Sequence, residues 1–149
     1  MILIHLLIGI ILGQIYGGNY FFFILGSILP DIDHFYIILK NKIYNLEKLI
    51  KTIRYEKKFN LRYKTALFHS LLGLILFSII LSIFDKRGVI YFGVAYFLHL
   101  WIDWIDIDEK YYLYPLKIKF NGFLPIWSKT EKIITLILIL IIVILYFFN

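Results

Sequence analysis

Five apolar runs dominate this chain: Ile2–Tyr16, Tyr20–Leu29, Ala66–Phe84, Gly88–Ile105 and Ile133–Phe148. Every histidine lies inside one of them or directly behind one. Ile2–Tyr16 carries His5, Ala66–Phe84 carries His69, and Gly88–Ile105 carries His99 with Asp103 four residues on. Tyr20–Leu29 runs straight into Pro30-Asp31-Ile32-Asp33-His34. Ionisable groups are costly in hydrocarbon, so where membrane helices keep them they face the bundle interior and mark functional sites. Hydrophobic residues make up 61% of the 149 residues and charged ones 17%, against about 45–50% and about 25% in soluble domains. The excess indicates a membrane protein, with a single membrane-embedded helical domain over residues 1–149.

The chain has no cysteine, which excludes disulfides, thiolate metal sites and thiol nucleophiles. Any metal must be held by imidazole nitrogen and carboxylate oxygen. The N-terminus lacks a basic leader region and a small-x-small cleavage pattern, so it reads as retained.

The runs Ala66–Phe84 and Gly88–Ile105 have the roughly 17–25 residues that a spanning helix needs. Ile133–Phe148 can be extended by its flanks, and its start carries the capping-box pattern Ser128-Lys129-Thr130-Glu131, with Ser128 as N-cap. The first two runs are short, and a break is expected at Pro30, which removes a backbone donor and disfavours helix before it. Leu46, Leu49, Ile50 and Ile53 recur at helical spacing among charges, so Tyr44–Lys58 reads as an amphipathic surface helix. The expected fold is all-α: a multi-pass transmembrane bundle of about five apolar helices plus that surface helix.

The net charge of +6 is concentrated in Lys40–Lys64, where nine basic residues face Glu47 and Glu56. Such a segment between apolar runs reads as a cytoplasmic loop against anionic headgroups, ahead of a nucleic-acid contact. With that loop inside and each run crossing once, the N-terminus and Asp106–Lys132 are also inside and Asp85–Gly88 is outside. His5, Asp31, Asp33, His34, His69, His99 and Asp103 then all fall at the inner ends of their segments. They are expected to converge at one depth on the cytoplasmic side of a cell membrane.

Residues three or four apart share a helix face, which aligns His99 with Asp103, Asp106 behind them, and Asp31 with His34. Histidine and aspartate together are metal-ligand vocabulary. The inventory suffices for two ions at the roughly 3.5–4 Å spacing of two-metal hydrolytic sites, which acidify water and stabilise charge on a phosphoryl oxygen. A divalent metal is expected, zinc first, with manganese or magnesium as alternatives. Taken singly, the same residues have plainer readings: His5 as an interfacial anchor, Asp106 and Asp108 as a solvated face, and Gly9, Gly13, Gly26, Gly73 and Ser70 as helix packing.

In chain order, an early His5, Gly26-Ser27-Ile28-Leu29-Pro30-Asp31-Ile32-Asp33-His34, Phe68-His69-Ser70-Leu71-Leu72, His99-Leu100-Trp101-Ile102-Asp103 and Tyr114-Pro115-Leu116 resemble the membrane-bound metal-dependent hydrolases. That group includes LexA-binding, inner-membrane-associated hydrolases. The resemblance covers the chain to about Leu116 and implies a helical multi-pass hydrolase using a divalent metal. By position it implies a metal set of His5, Asp31, His34, His69, His99 and Asp103, with Asp33 in or just behind that set. Lys64-Thr65-Ala66 stands where that family often has His-Arg-Gly, and Asp106-Ile107-Asp108 where it often has Thr-x-x-Gly.

The function expected is metal-dependent hydrolysis of a phosphoester or lipid-like substrate at the cytoplasmic membrane face, with Asp33 or Asp106 as general base. Membrane lipids and an anionic phosphoester are the expected partners. The alternatives are a small ion- or proton-coupled transporter, which needs ionisable groups along the whole bilayer normal, and a non-catalytic scaffold with a structural metal.

Overall fold

In the computed structural model, which describes residues 1–17, 19–54, 56–59 and 61–148, the apolar runs all become helix. Helix α1 spans Ile2–Ile15 and α2 spans Tyr20–Ile28; a 3-10 turn over Leu29–Asp31 leads into α3, Ile32–Lys40. Helices α4 (Leu46–Arg54) and α5 (Glu56–Phe59) follow, then α6 (Leu71–Phe84), α7 (Gly88–Asp103) and α8 (Lys129–Phe148). Among the described residues there is no strand, only two isolated backbone bridges, Asp106 with Leu124 and Lys110 with Phe120, in the irregular stretch between α7 and α8.

The apolar helices alternate in direction. Gly9 of α1 meets Ser27 and Phe23 while Gly13 meets Tyr20, so α2 returns antiparallel to α1. Helix α7 runs parallel to α2, with Gly88 against Phe22 and Gly26 against Phe92. Helix α6 is antiparallel to α7, Gly73 lying beside Tyr96 and Ser78 beside Gly93. Helix α8 runs with α1: the Met1 amine lies 3.4 Å from Glu131, and Gln14 Nε2 donates to the Ile142 carbonyl. Glycine matters most at Gly26, where a Cβ would strike the Phe92 carbonyl. Only a residue without a side chain lets the two backbones approach this closely, a device typical of helix pairs in membranes. The buried centre is Phe92, Tyr96 and Leu100 of α7, packed by Phe22, Leu25, Leu29, Leu74 and Phe77.

Three sequence expectations change. Two helical stretches, not about five, have the length and apolarity to cross a membrane: Tyr20–Lys40, of 21 residues, and Lys129–Phe148, of 20. Helices α1, α6 and α7 stop at 14, 14 and 16 residues. Helix α6 begins late because Ser70 caps it: its extended backbone (φ −139°, ψ 162°) turns its side chain to accept from Gly73 N at 3.1 Å, leaving Ala66–His69 outside the helix. The break expected at Pro30 is a local one: the α-helix ends at Ile28 and a 3-10 turn intervenes, but the helical path continues at once into α3. Pro30 sits in the first turn of the 3-10 segment, where its missing N–H costs nothing. The surface helix expected over Tyr44–Lys58 is divided between α4 and α5; Tyr55, between them, lies outside the described residues.

Other local signals act as their chemistry dictates. Glu131 N donates to Ser128 Oγ at 3.1 Å, the N-cap bond, while the Glu131 carboxylate takes Trp127 N rather than closing the box on Ser128. Asp85 Oδ1 accepts from Arg87 N and Gly88 N, both at 2.8 Å, and so turns α6 into α7. Only 6% of the apolar window of α8 is buried, and Ile133, Leu136, Ile137 and Leu140 point outward. Such an apolar, outward-facing helix suits a hydrocarbon surround.

Candidate metal centre

One end of the bundle gathers the ionisable groups of five chain segments. His5 comes from the first turns of α1, Asp31 from the end of the 3-10 turn, and Asp33 and His34 from the first turn of α3. His69 precedes the Ser70 cap, and His99 and Asp103 end α7. Asp31, Asp33, His5, His69, His99 and Asp103 are all buried; His34 is half-buried. The two elements that carry most of this set, α2 with its extension and α7, are locked together at Gly26, and the same contact carries His99 to Ser27.

At the centre, two imidazole nitrogens face two carboxylate oxygens. His69 Nε2 lies 3.7 Å from Asp31 Oδ1 and 3.4 Å from Asp103 Oδ2. His99 Nε2 lies 3.8 Å and 3.6 Å from the same two atoms. Neither nitrogen has a hydrogen-bond partner. Zinc held at roughly 2.0–2.2 Å by such ligands would set tetrahedral neighbours about 3.4 Å apart; the four N–O spacings are close to that value, and Asp31, His69 and His99 together lie near enough to share one cation.

The supporting contacts aim the lone pairs inward. His99 Nδ1 is 2.7 Å from the Ser27 carbonyl, which can only accept, so Nδ1 carries the proton and Nε2 the lone pair. His69 Nδ1 lies 3.2 Å from Asp33 Oδ2, an oxygen that also accepts Thr65 N at 2.6 Å. The other oxygen, Asp33 Oδ1, is 2.8 Å from His34 Nδ1. Asp33 thus holds His34 by a hydrogen bond and lies at ion-pair distance from His69, whose Nδ1 makes no hydrogen bond. His5 stacks on His99 with ring centroids 3.8 Å apart, and its Nε2 lies 3.1 Å from Asp103 Oδ1. These contacts group as His5–His99–Asp103, Asp31–His69–His99 and Asp33–His34–His69, each trio close enough to share an ion.

Every metal candidate named from sequence is therefore in this cluster. The two carboxylates expected as bases are placed differently. Asp33 reaches outward through His34, whereas Asp106 pairs with Lys64 and with Lys110. In the sequence Lys64 stands out only as a departure from the resembled family's His-Arg-Gly, and Lys110 does not stand out at all. Lys64 is 7% exposed and its Nζ sits 2.8 Å from Asp103 Oδ2, in contact with Asp106 and 3.9 Å from Asp108 Oδ2. Burial works against its charge, but Asp103, Asp106 and Asp108 outweigh that and hold its pKa well above the usual lysine value. Burial, together with Lys64, pushes Lys110 down, and burial pushes the Asp108 carboxyl up. Lys110 Nζ also donates to the Asp106 carbonyl at 2.6 Å.

A cavity of about 260 Å³ opens onto the cluster. His5, Asp31, His34, Lys64, Asp103, Asp106 and Asp108 lie on its polar side, and Phe35, Ile38, Leu49, Ile53, Ile126 and Trp127 on its apolar side. Leu49 and Ile53 come from α4, so the apolar stripe of the amphipathic helix covers this opening.

An all-helical chain with two helices able to cross a bilayer, outward-facing apolar surface and a buried histidine–aspartate cluster is of the integral membrane class. It belongs to the YdjM inner membrane protein family, which it matches over residues 1–149. No curated protein and no solved structure gives a significant match. The family description concerns the inner membrane and does not speak to hydrolysis or metal.

Proposed function

We propose that this protein is a multi-pass, metal-dependent hydrolase of the cell membrane that acts on a phosphoester carried by a lipid-like molecule. The observation that carries this reading is the pair of buried, partnerless nitrogens, His69 Nε2 and His99 Nε2, set between Asp31 and Asp103. Burying two such groups without partners costs free energy, and a cation repays it. His69, His99, Asp31 and Asp103 would hold the divalent ion, zinc first, with His5 and His34 beside them. Such an ion supplies Lewis-acid polarisation of a phosphoryl oxygen and lowers the pKa of water.

The protein's own residues do the rest. The Ser27 carbonyl fixes the orientation of His99, and Asp33 lies at ion-pair distance from His69. Of the two carboxylates considered as general base, Asp33 has a route to the cavity through His34 Nδ1; both oxygens of Asp106 are engaged by lysine. The apolar wall of the cavity suits a hydrocarbon chain, and a bound cation together with Lys64 would offset the four carboxylates of the polar wall and let it take an anionic head. The alternating helix directions support a multi-pass arrangement in which the short helices pack against Tyr20–Lys40 and Lys129–Phe148. The basic segment Lys40–Lys64 supports placing the N-terminus and the centre on the cytoplasmic side.

A transporter reading is weaker: the buried ionisable groups among the described residues gather at one end of the bundle rather than along it. The deciding experiment is metal analysis of the detergent-purified protein with a phosphodiesterase and phospholipase screen. Bound divalent metal, and activity abolished in His99→Ala, are expected. Metal-free protein, or a His99→Ala variant as active as wild type, would refute the assignment.

A further inference from the structure

The cluster at first suggests more than one ion, since three trios of donors lie close enough to bind. Their memberships overlap, however. His99 belongs to two of them but offers one lone pair, because its Nδ1 is committed to the Ser27 carbonyl at 2.7 Å. His69 also belongs to two, and its Nδ1 faces an Asp33 oxygen already taken by Thr65 N at 2.6 Å.

A second ion at the roughly 3.5–4 Å spacing of two-metal sites needs a carboxylate to share with the first. Asp103 is the carboxylate placed for that, lying between the two halves of the cluster. Its Oδ1 lies 3.1 Å from His5 Nε2, and its Oδ2, the oxygen that faces His69 and His99 in the first site, already has Lys64 Nζ at 2.8 Å, so the ammonium stands where a second ion would share that oxygen. Lys64 also engages Asp106 and approaches Asp108 at 3.9 Å, so the acidic groups on that side already have their cation. A lysine ammonium has three donors and no acceptor, so it cannot ligate a metal and repels one.

We propose that Lys64 is a resident organic cation that takes the place of a second metal ion, making the centre strictly mononuclear. This rests on the metal-site reading above and sharpens it. Lys64 also faces the cavity, where its charge stands beside the position an anionic substrate group would take.

The test is metal stoichiometry rather than turnover. Detergent-purified wild-type protein, Lys64→Arg and Lys64→His are each incubated with excess Zn²⁺ and, separately, Mn²⁺, desalted, and analysed by elemental mass spectrometry with circular dichroism to verify helicity. Wild type and Lys64→Arg are expected to retain about one equivalent per chain. Lys64→His, which replaces the cation by a ligand, is expected to retain about two. Two equivalents in wild type, or one in a helical Lys64→His protein, overturns the proposal while leaving a metal centre in place. No metal in wild type overturns the metal reading itself, and this inference with it. If Lys64→His does not fold, the wild-type count and its agreement with Lys64→Arg still decide.

Discussion

The two ends of the bundle solve the same problem with different means. At the α6–α7 end, Asp85 folds its carboxylate back onto the amides of Arg87 and Gly88, two and three residues on. Nothing distant is needed. At the opposite end, His5 meets Asp103 across 98 positions of sequence, His99 reaches Ser27 across 72, and Asp33 holds Thr65 across 32. One carboxylate makes a turn, and the others make a site. The difference shows what burial does to an aspartate. With solvent at hand a local bond suffices, but in the interior each charge has to be answered by a partner from elsewhere in the chain.

That contrast can be broken most severely at Asp103. Replacing it by alanine removes the partner of His5 and Lys64 together and leaves a buried ammonium short of a counter-charge. A loss of about 3–5 kcal/mol is expected for breaking such a pair, read as a large drop in melting temperature in detergent and loss of retained metal. An intermediate effect is expected from Asp33→Asn, which keeps the shape but weakens the hydrogen bond to His34 and the ion-pair contact with His69. Metal affinity should fall about 10–100-fold with helicity retained, as measured by competition against a chelating dye. The smallest effect belongs to the local end. Asp85→Ala should cost about 1 kcal/mol, the scale of a lost cap, and leave metal content unchanged. Were Asp85→Ala to disturb metal binding as strongly as Asp33→Asn, the two ends would not be independent.

Much of this arrangement is legible in the residues alone. The four histidines and their aspartates fall at one end because they alternate with the direction of the runs, near the start of the runs that carry His5 and His69 and at or just past the end of those before His34 and around His99, and charge counting orders those ends without reference to them. Ser128 announces the start of α8, and Asp85 the turn between α6 and α7. Other features resist such reading. Pro30 looks like a break because proline usually is one, yet at the first turn of a 3-10 segment its missing donor is harmless. Ala66–Phe84 looks like one long helix because composition does not show that Ser70 will cap it, which leaves His69 free of helical geometry to face Asp31 and Asp103. Lys64 is visible only as a departure from the motif of the resembled family: among nine basic residues of a surface-like segment, nothing local shows that it turns inward. Its partners, Asp103, Asp106 and Asp108, are about forty positions away, and only the fold brings them together.

The stacking of His5 on His99 has a consequence for biogenesis. Because one ring is carried by α1 and the other by α7, 94 positions further on, no growing chain that has not yet reached α7 contains the assembled cluster. A chain that stops before α7 leaves the acids and imidazoles of α1, the 3-10 turn and α3 without the partners that His99 and Asp103 provide.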